Sequence, residues 1–289
     1  MARVFLIGLL VTLSACEGEV ETTRSGGTTS SSEIWLRELL PADAVLVGVT
    51  VAPDGKTYVL DQRAGLYEIG DNEAKLVFNT SGLNGVELTD VVALDADRFA
   101  LTAENDGFLF DARTQTFSSY FCYLPAPPPE NGEGSAGSAS SGGEPVTSPI
   151  SISQTLQLEG IAVKQRTESV AFNPGTRQLF AQPRTIRLDT GSAAGSEVFV
   201  FGEAGGQPIS VLPLSDASFV AAGMVVAPGD RLLLGAGSGL FEVTLDGGFQ
   251  PLRQLDGAID ITGMARAPNG DVWLLDGAGL RLIKLEPTI

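Results

Sequence analysis

Three residues of this chain stand where they could do chemistry together: Asp90, Glu168 and Thr262. Each lies at the head of a short apolar run, in "TDVVAL", "ESVAF" and "ITGMA", with Asp260 close to the third. Oxygen donors of this kind suit Ca²⁺ or another hard divalent cation. A pair of carboxylates could also divide the roles of general acid and base. The chain has no histidine, which removes Ser-His-Asp and Cys-His catalysis and any His-ligated zinc. The competing reading gives the three residues no ligand and has them hydrogen-bond neighbouring strand ends.

Whether they meet depends on the elements that carry them. Five segments share one outline, at residues 47–70, 89–112, 168–202, 222–244 and 262–284. Each opens on an apolar run. In four of the five a tight turn follows, at Pro53-Asp54-Gly55, Asn173-Pro174-Gly175, Pro228-Gly229-Asp230 or Pro268-Asn269-Gly270. Proline presets one backbone angle there, and Gly or Asn tolerates the positive φ. A second strand rich in Val, Leu, Tyr, Phe and Trp comes next, and then a glycine introduces a third, at Gly65, Gly107, Gly195, Gly239 and Gly279. A fourth strand reads "AKLVFNT", "TFSSYFCYL", "QPISVLPL" or "FQPLRQL".

Four-stranded units recurring at about 40 residues predict an all-β fold, a β-propeller of about five blades. One interval is twice the usual length because it holds two insertions. Residues 125–150 are Pro/Gly/Ser-rich and read as a disordered excursion, and residues 183–196 read as a long loop. A sixth blade built partly from 151–165 is the alternative count. A sandwich or barrel is the alternative architecture, although neither needs a constant four-strand unit. The last repeat stops after its third strand, whereas "EIWLRELL" (33–40) precedes the first repeat unassigned. That stretch is expected to complete the last blade and close the ring, covering an open edge.

Aligning the turns puts Gly48, Asp90, Ser169, Gly223 and Gly263 in one column at the channel mouth. Val47, Thr89, Glu168, Ala222 and Thr262 fall in the column before it. Two glycine-rich stretches are hairpin turns on the same alignment. "GAGSGLFE" (235–242) matches "QRAGLYEI" and "DGAGLRLI" in other blades, so it is no nucleotide loop. "TAENDGFLFD" lacks the ligand spacing of an EF-hand loop. Arg184 and Arg187, in the insertion at 183–196, either contact a ligand or pair with nearby acids.

The net charge of −17 sets the chain against nucleic acid and anionic lipid headgroups. Cys122, flanked by aromatic residues in "YFCYLP", reads as a small buried apolar residue rather than a nucleophile. The N-terminus carries a basic residue, Arg3, then the apolar stretch 4–13, then small residues and Cys16. This is the layout of a secretory signal, and the apolar stretch is too short to span a bilayer as a helix.

Leu13-Ser14-Ala15-Cys16 resembles the lipobox of bacterial lipoproteins. The resemblance implies cleavage before Cys16, diacylglycerol on its thiol, and a membrane contact made through acyl chains such as palmitate. Residues 1–15 are then a signal peptide and 16–32 a lipidated cysteine with a flexible tether. The propeller takes 33–289. Glu17 after the cysteine points to the outer membrane. The repeats themselves resemble propellers of the NHL, SMP-30 and SdiA-regulated kind, whose blades often begin "GIAVDPDG". The SMP-30-type lactonases imply Glu, Asn and Asp around a channel metal; here the two columns supply Asp90 and Glu168 and no Asn. Two functions therefore stand as expectations. One is a lipid-anchored cell-envelope propeller that binds or scaffolds an envelope protein or glycan, with no cofactor. The other is a metal-dependent hydrolase of lactonase or phosphoesterase type at the channel mouth.

Overall fold

The computed structural model describes residues 33–285, apart from 84, 104–105, 123–155, 159–160, 188, 192, 195–196, 217–218 and 245–246. The expectations for residues 1–32, including Cys16, and for the insertion at 125–150 lie outside the described residues. So do the side chains of Cys122 and Arg187.

Five antiparallel sheets make five blades. The first runs Leu46–Val51, Thr57–Asp61, Gly65–Ile69 and Ala74–Asn79. The second runs Asp90–Ala93, Arg98–Thr102, Asp106–Asp111 and Thr116–Cys122. The fourth runs Gly223–Ala227, Arg231–Ala236, Gly239–Val243 and Phe249–Gln254. In each, the chain works outward from the ring's centre. Burial follows that path: the inner strand "GMVVA" is buried throughout, while the outer strand "FQPLRQ" has no fully buried residue. A strand covered on both faces must be apolar on both, so inner runs such as "GMVVA" show no alternation. The turn after the inner strand needs positive φ, which Gly55 supplies at 88°.

The inner strands touch in the order first, second, third, fourth, fifth and back to first, so the ring is closed. Five apolar seams fill the wedges between blades. Phe99, Phe110, Leu60 and Leu66 fill the first–second wedge. Phe121, Phe201 and Leu179 fill the second–third. Met224, Leu234 and Val198 lie in the third–fourth, and Ile261, Leu274 and Leu233 in the fourth–fifth. Leu36, Leu275 and Leu282 fill the fifth–first.

The fifth blade has three strands from the C-terminal end, Ile261–Arg266, Val272–Asp276 and Arg281–Leu285. Its fourth is Glu33–Trp35, paired antiparallel to the last strand with Trp35 opposite Arg281. The expected closure is therefore present. It is shorter than the run "EIWLRELL" implied, because Leu36–Glu38 turns into a 3₁₀ helix that drops Leu36 into the fifth–first seam. Arg281 fixes the joint: its guanidinium bonds Asp276 at 2.9 Å and Glu33 at 3.2 Å, and it stacks with Arg37 against Trp35.

The third blade departs from the sequence reading. Its inner strand, Ile161–Asn173, and the next, Gln178–Arg187, are twice the usual length. They continue past the blade as a hairpin, with Leu156–Leu158 paired on one side and Ala193–Ala194 on the other. The blade is completed by Glu197–Phe201 and Ser210–Pro213. Described residues of 151–165 thus extend the third blade and build no sixth one. Residues 183–187, expected in a long loop, are strand. The reason is local pairing: Val163 to Thr167 find antiparallel partners from Arg187 to Pro183, and the backbone bonds of both halves are met.

Candidate functional site

The central axis has two ends, and they differ in chemistry. At the leading ends of the inner strands the two columns fall where the turns placed them. The first, third and fifth inner strands each bulge by one residue, at Val47, Glu168 and Thr262. Thr89 and Ala222 hold the same place in the other two blades, donating their N–H to Thr102 and Gly235 carbonyls at 2.8 Å. One extra residue on the bulged strand re-aims its side chain.

Inside that ring the backbones crowd. A β-carbon on Gly263 would lie 3.0 Å from the Val49 nitrogen, and one on Gly223 2.8 Å from the Gly263 carbonyl carbon. A β-carbon on Gly48 would lie 2.5 Å from Asp90 Oδ1. Glycine is required because any side chain would drive the blades apart.

Asp90 fills the space this leaves. It is 2% exposed. Its Oδ1 accepts from the Val91 N–H and its Oδ2 from the Val170 N–H of the third blade, both at 2.8 Å. Burial pushes its carboxyl well above the usual range, and the two amides pull it only part of the way back. Asp90 thus stitches two inner strands together. Two more junctions are joined by a bond from a backbone amide to a side chain: first–second by Ala93 N–H to Thr50 Oγ1 at 2.8 Å, and third–fourth by Ala221 N–H to Gln182 Oε1 at 2.8 Å.

Glu168, its side chain 18% exposed, sits between two cations. Arg166 Nε and Arg184 Nη1 each lie 3.7 Å from one of its oxygens. Of the two alternatives for Arg184, the structure shows the ion pair. Thr262 packs its hydroxyl into the fifth blade, where a β-carbon on Gly277 would touch it at 2.8 Å. Thr262 Oγ1, Ser169 Oγ and Arg166 Nε are buried without a hydrogen-bond partner among the described residues. Asp260 donates its N–H to Asp276 Oδ1 at 3.1 Å, and its side chain is exposed. Among the described residues no three Asp, Glu or Cys side chains come together in a way that would hold a metal ion.

At the trailing ends the axis opens. A cavity of about 270 Å³ lies there, lined from all five blades. Its wall is apolar: Val92 and Leu94, Ala171 and Phe172, Met224 and Val225, Met264 and Ala265. Pro53, Pro174 and Pro268, from three of the turns, line it as well. Thr50 is its one hydroxyl, already used by the Ala93 amide. Arg266 is its one charged side chain. The guanidinium reaches the Val226 carbonyl at 3.4 Å and has no carboxylate within 4.0 Å among the described residues. An apolar concave wall with one directed polar group is the usual make-up of a small-molecule site.

The sequence reading assigned no residue of this cavity to a site; Pro53, Pro174 and Pro268 stood there only as turn residues. A signal was present. Arg266 occupies the position held by Val51, Ala93, Phe172 and Val226 in the other inner strands, one cation in an apolar column.

No protein-family model matches this sequence, and no curated protein sequence does. Among solved structures the chain is similar to a streptogramin B lyase, at 12% identity over 89% of this chain and 97% of that one, TM-score 0.44. It is similar at 12% identity to a virginiamycin B lyase from Staphylococcus aureus, over 89% and 86% of the two chains, TM-score 0.45. A gluconolactonase from Xanthomonas campestris matches at 12% identity over 86% and 74%, TM-score 0.48. Likeness at this level carries no inference about activity. The five-bladed propeller rests on this chain's own strand pairing and closed ring of seams.

Proposed function

We propose that this chain is a cell-envelope binding module, lipid-anchored at Cys16, held off the membrane by residues 17–32, and taking a small ligand on the propeller axis. The observation that carries the binding reading is the apolar cavity shared by all five blades. Packed interiors leave few voids larger than a water molecule. A cavity of about 270 Å³ is close to the lower end of the roughly 300–1,000 Å³ of ligand pockets. The anchor reading is supported by the lipobox-like Leu13-Ser14-Ala15-Cys16. The acidic surface supports partners other than nucleic acid.

The binding reading is tested with octan-1-ol as an uncharged apolar probe, followed by ligand-observed NMR on the full chain. Val92→Trp puts an indole into the cavity from a partly buried wall position. The wild type is expected to bind the alcohol and the Val92→Trp chain to lose it. Equal binding by both, or none by the wild type, sinks the axial cavity as a ligand site.

A further inference from the structure

We infer that the axial cavity takes a monocarboxylate of about eight carbons, its carboxylate paired with Arg266. This rests on the binding reading above and names the ligand class for the same site.

Four observations lead there. The first is the unmatched cation. A guanidinium offers five N–H donors, and among the described residues Arg266 makes one hydrogen bond, at 3.4 Å, to a backbone carbonyl. The second is contrast with the other arginines around the ring. Arg98 pairs with Asp95, Arg177 with Glu203, Arg231 with Glu242 and Arg281 with Asp276. Arg37, Lys75 and Arg253 also stand without an acid among the described residues, but all three are exposed, whereas Arg266 is half-buried. The third is its setting. The cavity wall beside it is apolar, and a charge-assisted bond made there is screened less than one in open water.

The fourth observation is size and charge together. The cavity of about 270 Å³ lies near the lower end of the range for small-ligand pockets. That suits a small acid of about eight carbons, its two carboxylate oxygens turned to Arg266. One guanidinium matches one carboxylate in a bidentate fork. A dianionic phosphate would need further donors, and Arg266 is the only charged residue lining the cavity.

The test compares octanoate with octan-1-ol, which differ in charge but hardly in size. Dissociation constants are measured on the full chain as wild type, Arg266→Met and Arg266→Lys. The wild type is expected to bind octanoate at least ten-fold more tightly than the alcohol. Arg266→Met should remove that preference and keep the alcohol. Arg266→Lys should keep part of it, because the charge remains. An unchanged melting temperature in Arg266→Met separates lost recognition from lost fold. If the wild type binds the alcohol as well as the acid, or Arg266→Met still prefers the acid, the carboxylate inference is overturned while the cavity stands. If neither probe binds, the cavity reading and this inference fall together.

Discussion

Replacing Asp90 by Ala asks what a lone buried carboxylate does at the centre of a propeller. The side chain accepts from the Val91 and Val170 amides, and the second of these joins two blades. The variant leaves two buried N–H groups without a partner, at about 1–3 kcal/mol each. A loss of about 2–5 kcal/mol is expected, since removing a buried acid offsets part of the cost. The dependence on pH is sharper than the total. Burial raises the folded pKa of Asp90 well above its ordinary value, while the unfolded chain titrates near 3.9. As pH rises through that window the unfolded chain releases its proton first, so the wild type loses this stability and stays at the lower level above the folded pKa. The Ala variant has no such loss. Its deficit against wild type should be largest near pH 4.5 and shrink toward pH 8, read from urea midpoints across that range. A deficit that grows with pH would refute the reasoning, because it would mean the two amides hold Asp90 ionised against burial.

Arg281→Met should cost about 2–4 kcal/mol, since it strips the cation from the fully buried Asp276 carboxylate and frees the closing strand beside Trp35. Burial raises the Asp276 pKa, but the amides of Asp260 and Gly279 and the Arg281 guanidinium outweigh it and leave it low. This contribution is present at neutral pH and lost as pH falls through the folded pKa, the opposite sense to Asp90; an urea midpoint at pH 7 within 0.5 M of wild type would contradict it. Radiolabelled palmitate should enter the wild-type chain in a bacterial host and fail to enter Cys16→Ser, and equal labelling of both would remove the anchor.

The ring was legible because its determinants are local and repeated. Pro53-Asp54-Gly55 and Pro268-Asn269-Gly270 mark the same turn, and the glycines ahead of each third strand mark the same hairpin. The end-to-end closure was legible as a shortage: three strands at one end and a spare strand at the other. The third blade was not, because its hairpin from Ile161 to Arg187 outruns the repeat and had no sister segment to align with. The cavity was not legible either. It is the space left by side chains that meet across five blades, and no single inner strand records the separation of the others. Only the misfit of Arg266 with Val51, Ala93, Phe172 and Val226 could have pointed to it.

The chemistry-bearing residues and the open space lie at opposite ends of one axis, and the same strands explain both. At the leading ends, Gly48, Gly223 and Gly263 let the backbones meet, and a ring drawn that tight leaves its polar groups facing each other. Asp90 is taken up by two amides, one of them across a blade joint, and Glu168 by two arginines of its own blade. At the trailing ends the inner strands carry side chains instead of glycine, and the Ala and Val positions there leave the axis open. A charge near that opening meets a backbone carbonyl at 3.4 Å and no carboxylate among the described residues. Arg266 is such a charge, so recognition is expected where the sequence looks least reactive.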